Sequence, residues 1–388
     1  MSSADVRQAD LGAVQAALGR GDRMGALALV LEAERAAPQD IGLKLQRAMV
    51  SRAMGDLTGA LAALEEALSL DPYDYVALLS KGAVVERLDG EREAAAIYKN
   101  ALSIAPPDEA IPGPLRAPTE RARQVVARTM AALEAHLKAR TDAVKADCSE
   151  AGRRRFDESV SIFSGRARVY AQEPLLLHYP RLPAIPFYDR ALFPWFAELE
   201  AATDTIRGEL EAALTAAKDN FAPYIAYPKG APVNQWGELN HSRRWSSFFL
   251  WKDGARQDGA CQLCPKTAAL LETLPMAEQP GFAPTAMFSA LEAHTRIPAH
   301  TGSTNVRLLC HLPLILPGPA RFRVGGEARD WTLGEAWVFD DTIEHEAWND
   351  ADQLRVILIF DIWNPFLDEG ERALVKALLQ ARQEFFAG

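Results

Sequence analysis

The sequence predicts a multidomain α and β protein, with an α-helical solenoid at its N-terminal end and a β-barrel at its C-terminal end. Two patterns lead to this fold class. A period of 34 residues runs through positions 1–108, and from Pro284 onward apolar residues recur at every second position. The first pattern is typical of stacked helix pairs and the second of half-buried strands. We therefore predict helical repeats at 1–108, a linker with capping helices at 109–180, and a β-rich domain with flanking helices at 181–388.

Composition and charge limit the classes of function. The 388 residues are 48% hydrophobic and 24% charged, which is ordinary for a globular protein with several cores. The net charge of −10 argues against a nucleic-acid partner, because binding to phosphate backbones requires clustered Lys and Arg. The first residues lack a basic segment followed by an apolar one, and no run of about 18 apolar residues occurs. We expect a cytoplasmic protein with no membrane partner.

The four cysteines predict reduced thiols. They are too few and too scattered for a disulfide framework. Cys261 and Cys264 have the spacing of half a zinc site or of a redox pair, but no second such pair follows and the βαβ context of a redox motif is missing. Plain thiols or an opportunistic disulfide are therefore expected.

Residues 1–108 contain three copies of one repeat. Prolines, small residues and one large residue return at the same spacing: Pro38, Pro72 and Pro106; Ala26, Ala60 and Ala94; Ala33, Ala67 and Ala101; Val30, Leu64 and Tyr98. Period and pattern are those of tetratricopeptide repeats, with turns expected at Gly21, Gly55 and Asp89. Such a solenoid leaves a concave face open, so we predict that it binds a protein or peptide substrate. A dimerisation or spacer module is the alternative.

The region after the repeats is predicted to be helical on both sides of a break. The proline-rich stretch 106–118 indicates turns, and residues 119–143 carry apolar residues at helical spacing, as expected of a helix that caps the last repeat. A further helix is predicted from Trp195 to Lys218.

Two histidines at the rims of β-patterned segments form a candidate metal site. His300 and His345 are 45 residues apart, and a small β-barrel brings imidazoles from such distant strands onto one ion. The usual non-haem iron site adds a carboxylate two residues after the first histidine, but that position is Gly302. Four acidic residues lie near the second histidine instead: Asp340, Asp341, Glu344 and Glu346.

Alternation within two predicted strands directs further polar side chains to one face. In the strand 305–316, Arg307 and His311 point the same way, which is expected of a pocket wall and costly in a closed core. In the strand 354–363, Arg355 begins an otherwise apolar run. An arginine in that position can hold a carboxylate by a bidentate pair inside the barrel.

The stretch that begins at His300 resembles the catalytic core of the aspartyl/asparaginyl β-hydroxylase family. The resemblance is carried by HTGSTNVRL, a histidine eleven residues after His300, FDDTIEHEAWND, and an arginine ten residues after His345. It extends from about Leu182 to the C-terminus. The resemblance implies an Fe(II)- and 2-oxoglutarate-dependent dioxygenase with a double-stranded β-helix, a jelly-roll or cupin-like fold. The family has glycine where the usual carboxylate stands, so Gly302 fits it.

The same resemblance implies the metal ligands and the products. His300 and His345 are the implied Fe(II) ligands, and 2-oxoglutarate and O2 are the implied cosubstrates, with succinate and CO2 as co-products. Asp341 matches a carboxylate that accepts a hydrogen bond from a water in place of the missing ligand.

For the cosubstrate, the resemblance assigns the distal carboxylate of 2-oxoglutarate to Arg355 with help from Ser289, and the carboxylate beside the metal to His311. We expect Trp245 to contribute to this cofactor site as well. For Trp245 and for Trp251, which follows six residues later, the alternative is a place in the core.

On the substrate side, Arg307 matches an arginine that the family directs at the substrate, and the alternative is that it pairs with an acidic neighbour. Two departures accompany it. Leu309 stands where the family presents a second arginine, and Met287 stands where it offers a lysine. Because both family groups help to hold an acidic substrate, these departures weaken the case for aspartate more than the case for oxygenase chemistry.

We predict a dioxygenase that hydroxylates a C–H bond, at the β-carbon of an Asp- or Asn-type residue, in a protein or peptide. Three alternatives stay open: a hydroxylase of a free amino acid or small metabolite, a pseudo-oxygenase whose repeats act as a protein-binding scaffold, and a cupin-type metalloenzyme that uses no 2-oxoglutarate. The two histidines together with Arg355 count against the pseudo-oxygenase, and Arg355 counts against the cupin-type enzyme.

Overall fold

Two compact units make up the chain, residues 1–167 and 168–388. The computed structural model describes residues 12–279 and 281–387. Helices build the first unit, and two antiparallel sheets with surrounding helices build the second. Within the described ranges, none of the helices combines the length and the apolar character that crossing a lipid bilayer requires.

Helices with the predicted 34-residue spacing build the first unit. The second helix of each pair begins at residue 23, 57 or 91. Asp22 and Asp56 cap two of these helices, since each accepts a hydrogen bond of 2.8 Å from the backbone N–H of Gly25 or Gly59. The helices are α1 (12–19), α2 (Arg23–Ala36), α3 (Ile41–Met54), α4 (Leu57–Leu70), α5 (Tyr75–Leu88), α6 (Glu91–Ser103), α7 (Gly113–Lys145) and α8 (Glu150–Phe163).

Small residues recur where these helices pack together. The repeated alanines Ala26, Ala60 and Ala94 are fully buried. Gly82 serves the same purpose in the third pair, because a Cβ there would lie 2.4 Å from the ring of Tyr98. Asp89 lies in the turn between α5 and α6, as predicted, and the next residue, Gly90, has a φ of 110°, a conformation that favours glycine. The helical solenoid predicted for residues 1–108 is confirmed from residue 12 onward, and residues 1–11 lie outside the described range.

The helix after the repeats is longer than predicted. α7 begins at Gly113 and contains Pro118, so the predicted break at 106–118 is too long. Pro118 has no N–H to donate to the carbonyl of residue 114, but near the start of the helix the missing bond is tolerated. Ala122 and Val125 of α7 are buried against Tyr98 and therefore close the end of the last repeat.

The second unit begins before residue 181. Residues 168–180, which the sequence analysis assigned to the linker, run beside later segments of the barrel. The backbone N–H of Glu173 donates to the carbonyl of Thr342 at 2.7 Å, and that of Leu175 donates to Gly302 at 2.9 Å. Composition does not reveal this pairing, because it is made by backbone atoms.

Two antiparallel sheets form the barrel. The larger sheet has the strand order β1-β2-β4-β11-β6-β9, with β3 paired to β2, and the smaller sheet has the order β5-β10-β7-β8. The strands are β1 (Ala222–Pro223), β2 (Trp245–Lys252), β3 (Ala255–Arg256), β4 (Ala286–Leu291), β5 (Thr295–His300), β6 (Arg307–Ile315), β7 (Ala320–Val324), β8 (Glu327–Asp330), β9 (Trp337–Phe339), β10 (His345–Asn349) and β11 (Arg355–Trp363). This is the predicted double-stranded β-helix, and the fold class is confirmed.

Each face of the larger sheet has its own core. The inner face packs against the smaller sheet through residues such as Met287, Ile359 and Phe322. The outer face, with Phe288 and Leu358, is covered by α9 (Phe196–Ala201), α10 (Thr203–Ala216), α11 (Asp258–Leu263) and α12 (Pro265–Thr273). The single helix predicted from Trp195 to Lys218 is thus two helices separated at Ala202. α13 (Glu369–Ala387) packs elsewhere on the unit, through Val375 and Leu379.

Candidate active site

A cavity of about 120 Å³ lies between the two sheets and follows β11. Arg355, Ile357, Ile359 and Asp361 alternate along that strand and all line the cavity. The six steps along the strand from Arg355 to Asp361 span roughly 20 Å, so the cavity has two well-separated ends. We call them the Arg355 end and the Asp361 end.

His300 and His345 face each other from neighbouring strands of the smaller sheet. They are register partners on β5 and β10, and their ring centroids are 4.1 Å apart. Nδ1 of His300 lies 2.8 Å from the carbonyl oxygen of Pro298, and Nδ1 of His345 lies 3.0 Å from that of Ile343. Since a carbonyl oxygen only accepts, both Nδ1 atoms carry the proton, and in the neutral ring Nε2 keeps a free lone pair. Both rings could therefore bind a metal ion through Nε2.

The electrostatic environment keeps both imidazoles neutral. Burial lowers the pKa of His300. Burial, and then the proximity of His300, hold the pKa of His345 well below its usual value. Neutral imidazole is the form that binds a metal ion.

Asp341 occupies the space in which a side chain at position 302 would lie. A Cβ on Gly302 would be 1.9 Å from Oδ2 of Asp341, and the N–H of Gly302 donates to the backbone carbonyl of Asp341 at 2.6 Å. Burial raises the pKa of Asp341 to about 7, against the opposing effect of Arg307. Oδ1 of Asp341 is buried and has no hydrogen-bond partner within the described ranges. Gly302 therefore makes room for this carboxylate.

The other three acidic residues near His345 are engaged elsewhere. Glu344 pairs with Arg168 and Arg323, and Glu346 pairs with Arg296 and Arg323. Asp340 accepts hydrogen bonds from the amide and hydroxyl of Thr342 and from the side chain of Gln172. Within the part of the chain that the structure describes, no cluster of three or more His, Cys, Asp or Glu side chains could hold a metal ion. The candidate site therefore consists of two protein ligands.

A buried guanidinium dominates the Arg355 end. Arg355 is 1% exposed, and its Nε and Nη1 have no hydrogen-bond partner among the described residues. Its Cζ lies 4.6 Å from the ring centroid of Trp331. Burial lowers the pKa of Arg355 to about 9, so the group is still charged at neutral pH. A buried cation with unpaired donors fits an anionic ligand, because planar guanidinium binds carboxylate in a bidentate manner.

Ser289, Trp245 and His311 complete this part of the cavity wall. The indole N–H of Trp245 donates to Oγ of Ser289 at 3.1 Å. An indole only donates, so the Ser289 hydroxyl keeps its own proton to donate. Burial, and then Arg355, hold the pKa of His311 well below its usual value, and its Nδ1 has no partner within the described chain. The structure thus brings these three residues and Arg355 into one cavity.

Trp251 lies in the hydrophobic core, which was the alternative to a place in the cofactor site. A bulge between Phe249 and Trp251 shifts the register of β2 against β4, so Trp251 lies in the outer core and not on the face of Trp245. Sequence reasoning missed Trp331, which lines the cavity and whose buried indole nitrogen is also without a partner among the described residues. A single aromatic residue directly after the short strand β8 gave no signal for this placement.

The Asp361 end contains an ion pair and apolar side chains. Arg307 forms a salt bridge with Asp361, whose Oδ2 also accepts the N–H of Thr285 at 2.7 Å. Burial opposes the charge of Arg307, but Asp361 and Asp341 outweigh burial and raise the pKa of the guanidinium. The apolar lining here comes mainly from Met287 and Leu309.

Two other histidines, His294 and His241, lie outside the cavity. His294 is exposed and pairs with Asp352 at 2.9 Å, and Nε2 of His241 lies 2.8 Å from the carbonyl oxygen of Tyr227. The four cysteines are free thiols, and burial raises the pKa of both Cys261 and Cys264.

Comparison with known proteins gives three relevant similarities. Residues 200–365 match the sequence profile of the family described as aspartyl/asparaginyl beta-hydroxylase. The ornithine lipid ester-linked acyl 2-hydroxylase of Rhizobium tropici is 37% identical over 198 residues, which are 50% of this chain and 66% of that protein. The aspartyl/asparaginyl beta-hydroxylase of Homo sapiens is 33% identical over 187 residues, 48% of this chain and 24% of that protein. The matched stretch leaves a third of the first relative and most of the second uncovered.

Among solved structures, the TPR domain of Arabidopsis OM64 aligns with 31% of this chain and 93% of that chain, at 19% sequence identity and a TM-score of 0.27.

Proposed function

Through residues 200–365 the chain belongs to the aspartyl/asparaginyl β-hydroxylase family, and on that premise we propose that its second unit is an Fe(II)- and 2-oxoglutarate-dependent dioxygenase that hydroxylates a C–H bond. One observation carries the proposal: two neutral imidazoles with free Nε2 atoms share a cavity with the buried, unpaired guanidinium of Arg355. A structural core has no use for such a combination, because an unpaired buried charge destabilises the fold.

The residues around the histidines fit Fe(II). His300 and His345 would hold the ion through Nε2, and Asp341 is placed to accept a hydrogen bond from a water in the position of the usual carboxylate. The metal with O2 and 2-oxoglutarate would supply the oxidation of C–H to C–OH, with succinate and CO2 as co-products. The chain itself orients the two rings through the carbonyls of Pro298 and Ile343 and excludes water by burial.

The Arg355 end fits the dicarboxylate. Arg355 would bind the distal carboxylate of 2-oxoglutarate, with the Ser289 hydroxyl donating a further hydrogen bond. Trp245 would act through Ser289, because its indole fixes the direction of the hydroxyl. His311 is the register partner of Ile359, two inward-facing positions from Arg355 towards the Asp361 end. Its unpartnered Nδ1 would meet the carboxylate next to the metal.

The substrate would enter the Asp361 end of the cavity, where Arg307 lies. We propose a protein or peptide substrate, hydroxylated at the β-carbon of an Asp- or Asn-type residue, and held in part by the helical repeats. The Rhizobium relative acts on a lipid acyl chain by its name, so a small-molecule or acyl substrate is the second candidate. It is favoured by the apolar lining of Met287 and Leu309.

Formation of succinate from 2-oxoglutarate tests the proposal. The full-length protein with Fe(II), ascorbate and air should convert 2-oxoglutarate to succinate even without its substrate, as followed by NMR. Turnover should cease when Fe(II) is chelated. A protein that binds Fe(II) but never consumes 2-oxoglutarate would instead match the pseudo-oxygenase alternative.

A further inference from the structure

The charges at the Asp361 end bear on the class of substrate. Arg307 is the cation of this end, and Asp361 neutralises it by a salt bridge in which the side chains are 12% and 1% exposed, respectively. The N–H of Thr285 fixes the same carboxylate oxygen at 2.7 Å. The salt bridge is buried, and a backbone N–H holds its carboxylate. Breaking it to free Arg307 for another anion would therefore cost considerable free energy.

The second carboxylate of this end strengthens the conclusion. Asp341 also lines the cavity beside Arg307. With Asp341 neutral the three groups carry no net charge, and with Asp341 ionised they carry one negative charge. In neither case does the end present net positive charge. Nε of Arg307 has no hydrogen-bond partner among the described residues, but Asp361 already balances the charge of the guanidinium, so an entering carboxylate would meet two acids and one neutralised cation.

Apolar side chains fill the positions around the ion pair. Leu309 on β6 is the register partner of Asp361, and Met287 on β4 is the partner of Ile359 in the adjacent row. Both line the cavity. Tyr224 also lines the cavity and is 39% exposed, and its ring centroid lies 4.2 Å from that of Trp245. Aliphatic side chains thus stand beside the ion pair, together with Thr285 and Asp341 of the same lining.

We infer that the substrate group entering the Asp361 end is uncharged, an aliphatic or carboxamide side chain about the size of Leu or Asn, and not a carboxylate. The inference rests on the proposed function for the identity of the site, but its physical basis is the neutralised Arg307. Desolvating an anion without a free cation costs more than burying a neutral group of equal size.

Three probes of nearly equal shape separate the possibilities: the capped amino acids N-acetyl-leucine amide, N-acetyl-asparagine amide and N-acetyl-aspartate amide. Their side chains differ mainly in polarity and charge. Binding to the full-length protein with Fe(II) and 2-oxoglutarate, kept anaerobic, is measured by saturation-transfer NMR. We expect one or both neutral probes to bind about tenfold or more tightly than the aspartate probe.

Two variants at one position show whether charge is the cause. Leu309→Arg adds a second cation beside Asp361, so that with Asp341 neutral the end carries one net positive charge, and it should improve binding of the aspartate probe relative to the neutral probes by about tenfold or more. Leu309→Met, which adds no charge, should keep the ratio of affinities found for the original chain.

The outcomes distinguish this inference from the proposed function. Equal or tighter binding of the aspartate probe, or no binding by any of the three, overturns the inference even when 2-oxoglutarate is converted to succinate. Absence of 2-oxoglutarate turnover overturns the proposed function, whichever probe binds.

Discussion

Gly302 and Asp341 compete for the same space: a Cβ on residue 302 would lie 1.9 Å from Oδ2 of Asp341. In the usual iron site the residue equivalent to Gly302 supplies a carboxylate ligand. Here the carboxylate of Asp341, from another segment of the chain, occupies that space. Asp341 reaches the cavity only because residue 302 has no side chain.

Gly302→Asp should therefore not improve the enzyme. The new side chain would displace Asp341 and disturb the backbone hydrogen bond between the two residues, so we expect lower succinate formation at saturating Fe(II) and 2-oxoglutarate. Gly302→Ala is the matched control, since it creates the same clash without a carboxylate, and it should show a comparable loss. A clear gain in turnover for Gly302→Asp would mean that the site accepts a carboxylate at position 302, and that the proposed reason for Gly302 is wrong.

Arg355→Met should separate cosubstrate binding from stability. Loss of a charge-assisted bidentate pair costs roughly 3 kcal/mol, so KM for 2-oxoglutarate should rise about 10²-fold or more, while Fe(II) binding persists. Without ligand, replacing a buried unpaired guanidinium by an apolar chain should leave the free energy of unfolding unchanged or raise it by about 1 kcal/mol or more. His311→Ala should raise KM more mildly.

Arg323→Met is the matched control for that variant. Arg323 is ion-paired with Glu344 and Glu346, so its loss should lower the free energy of unfolding and leave KM for 2-oxoglutarate unaffected. The assignment of Arg355 does not survive if Arg355→Met retains the original KM, whatever its stability.

Trp245→Phe should weaken 2-oxoglutarate binding through Ser289. The variant keeps an aromatic ring but removes the N–H that orients the serine hydroxyl, a hydrogen bond worth about 1 kcal/mol, so KM should rise roughly fivefold. Trp251→Phe, on the outer face of the same strand, should leave KM unchanged. Equal effects of the two substitutions would show that the indole of Trp245 contributes only packing.

Removal of the first unit tests whether the repeats recruit the substrate. The cut belongs after residue 167, because α7 packs on the last repeat through Ala122 and Val125 and a cut at residue 108 would expose that face. If the repeats hold a polypeptide, the tether raises its effective concentration at the barrel to about the millimolar range. Truncation should then raise KM for a peptide substrate far more than it lowers kcat.

Uncoupled 2-oxoglutarate turnover is the internal control for the truncated protein, and it should continue at the rate of the full chain. An unchanged kcat/KM for the substrate would exclude recruitment by the repeats and favour a free amino acid or another small molecule.

Local patterns were sufficient to predict the repeats and the strand faces. Ala26, Ala60 and Ala94 recur because each helix pair solves the same packing problem, and alternation placed Arg307 and His311 on one wall. These features depend on residues close in sequence, so their periodicity is visible in one chain.

Features that depend on pairing between distant segments were not predictable. The bulge before Trp251 reverses the face that strict alternation would give. Pairing of Arg307 with an acidic residue was the alternative that the sequence left open, but its partner Asp361 could not be assigned, because the two strands are far apart in the sequence. The pairing of residues 168–180 with the barrel uses backbone atoms, which composition does not reveal. Trp331 was not predicted at all, because an unpaired indole nitrogen has no sequence signature.

Anaerobic titration with Fe(II), with and without 2-oxoglutarate, tests the central claim most directly. The full-length protein should bind one Fe(II) and develop a visible metal-to-ligand charge-transfer band only when 2-oxoglutarate is present. His300→Ala and His345→Ala should abolish the band and the binding of iron, whereas His294→Ala, which alters an exposed histidine paired with Asp352, should leave both intact. A band of full intensity in His300→Ala or His345→Ala, or none in the unaltered protein, would contradict the two-histidine site.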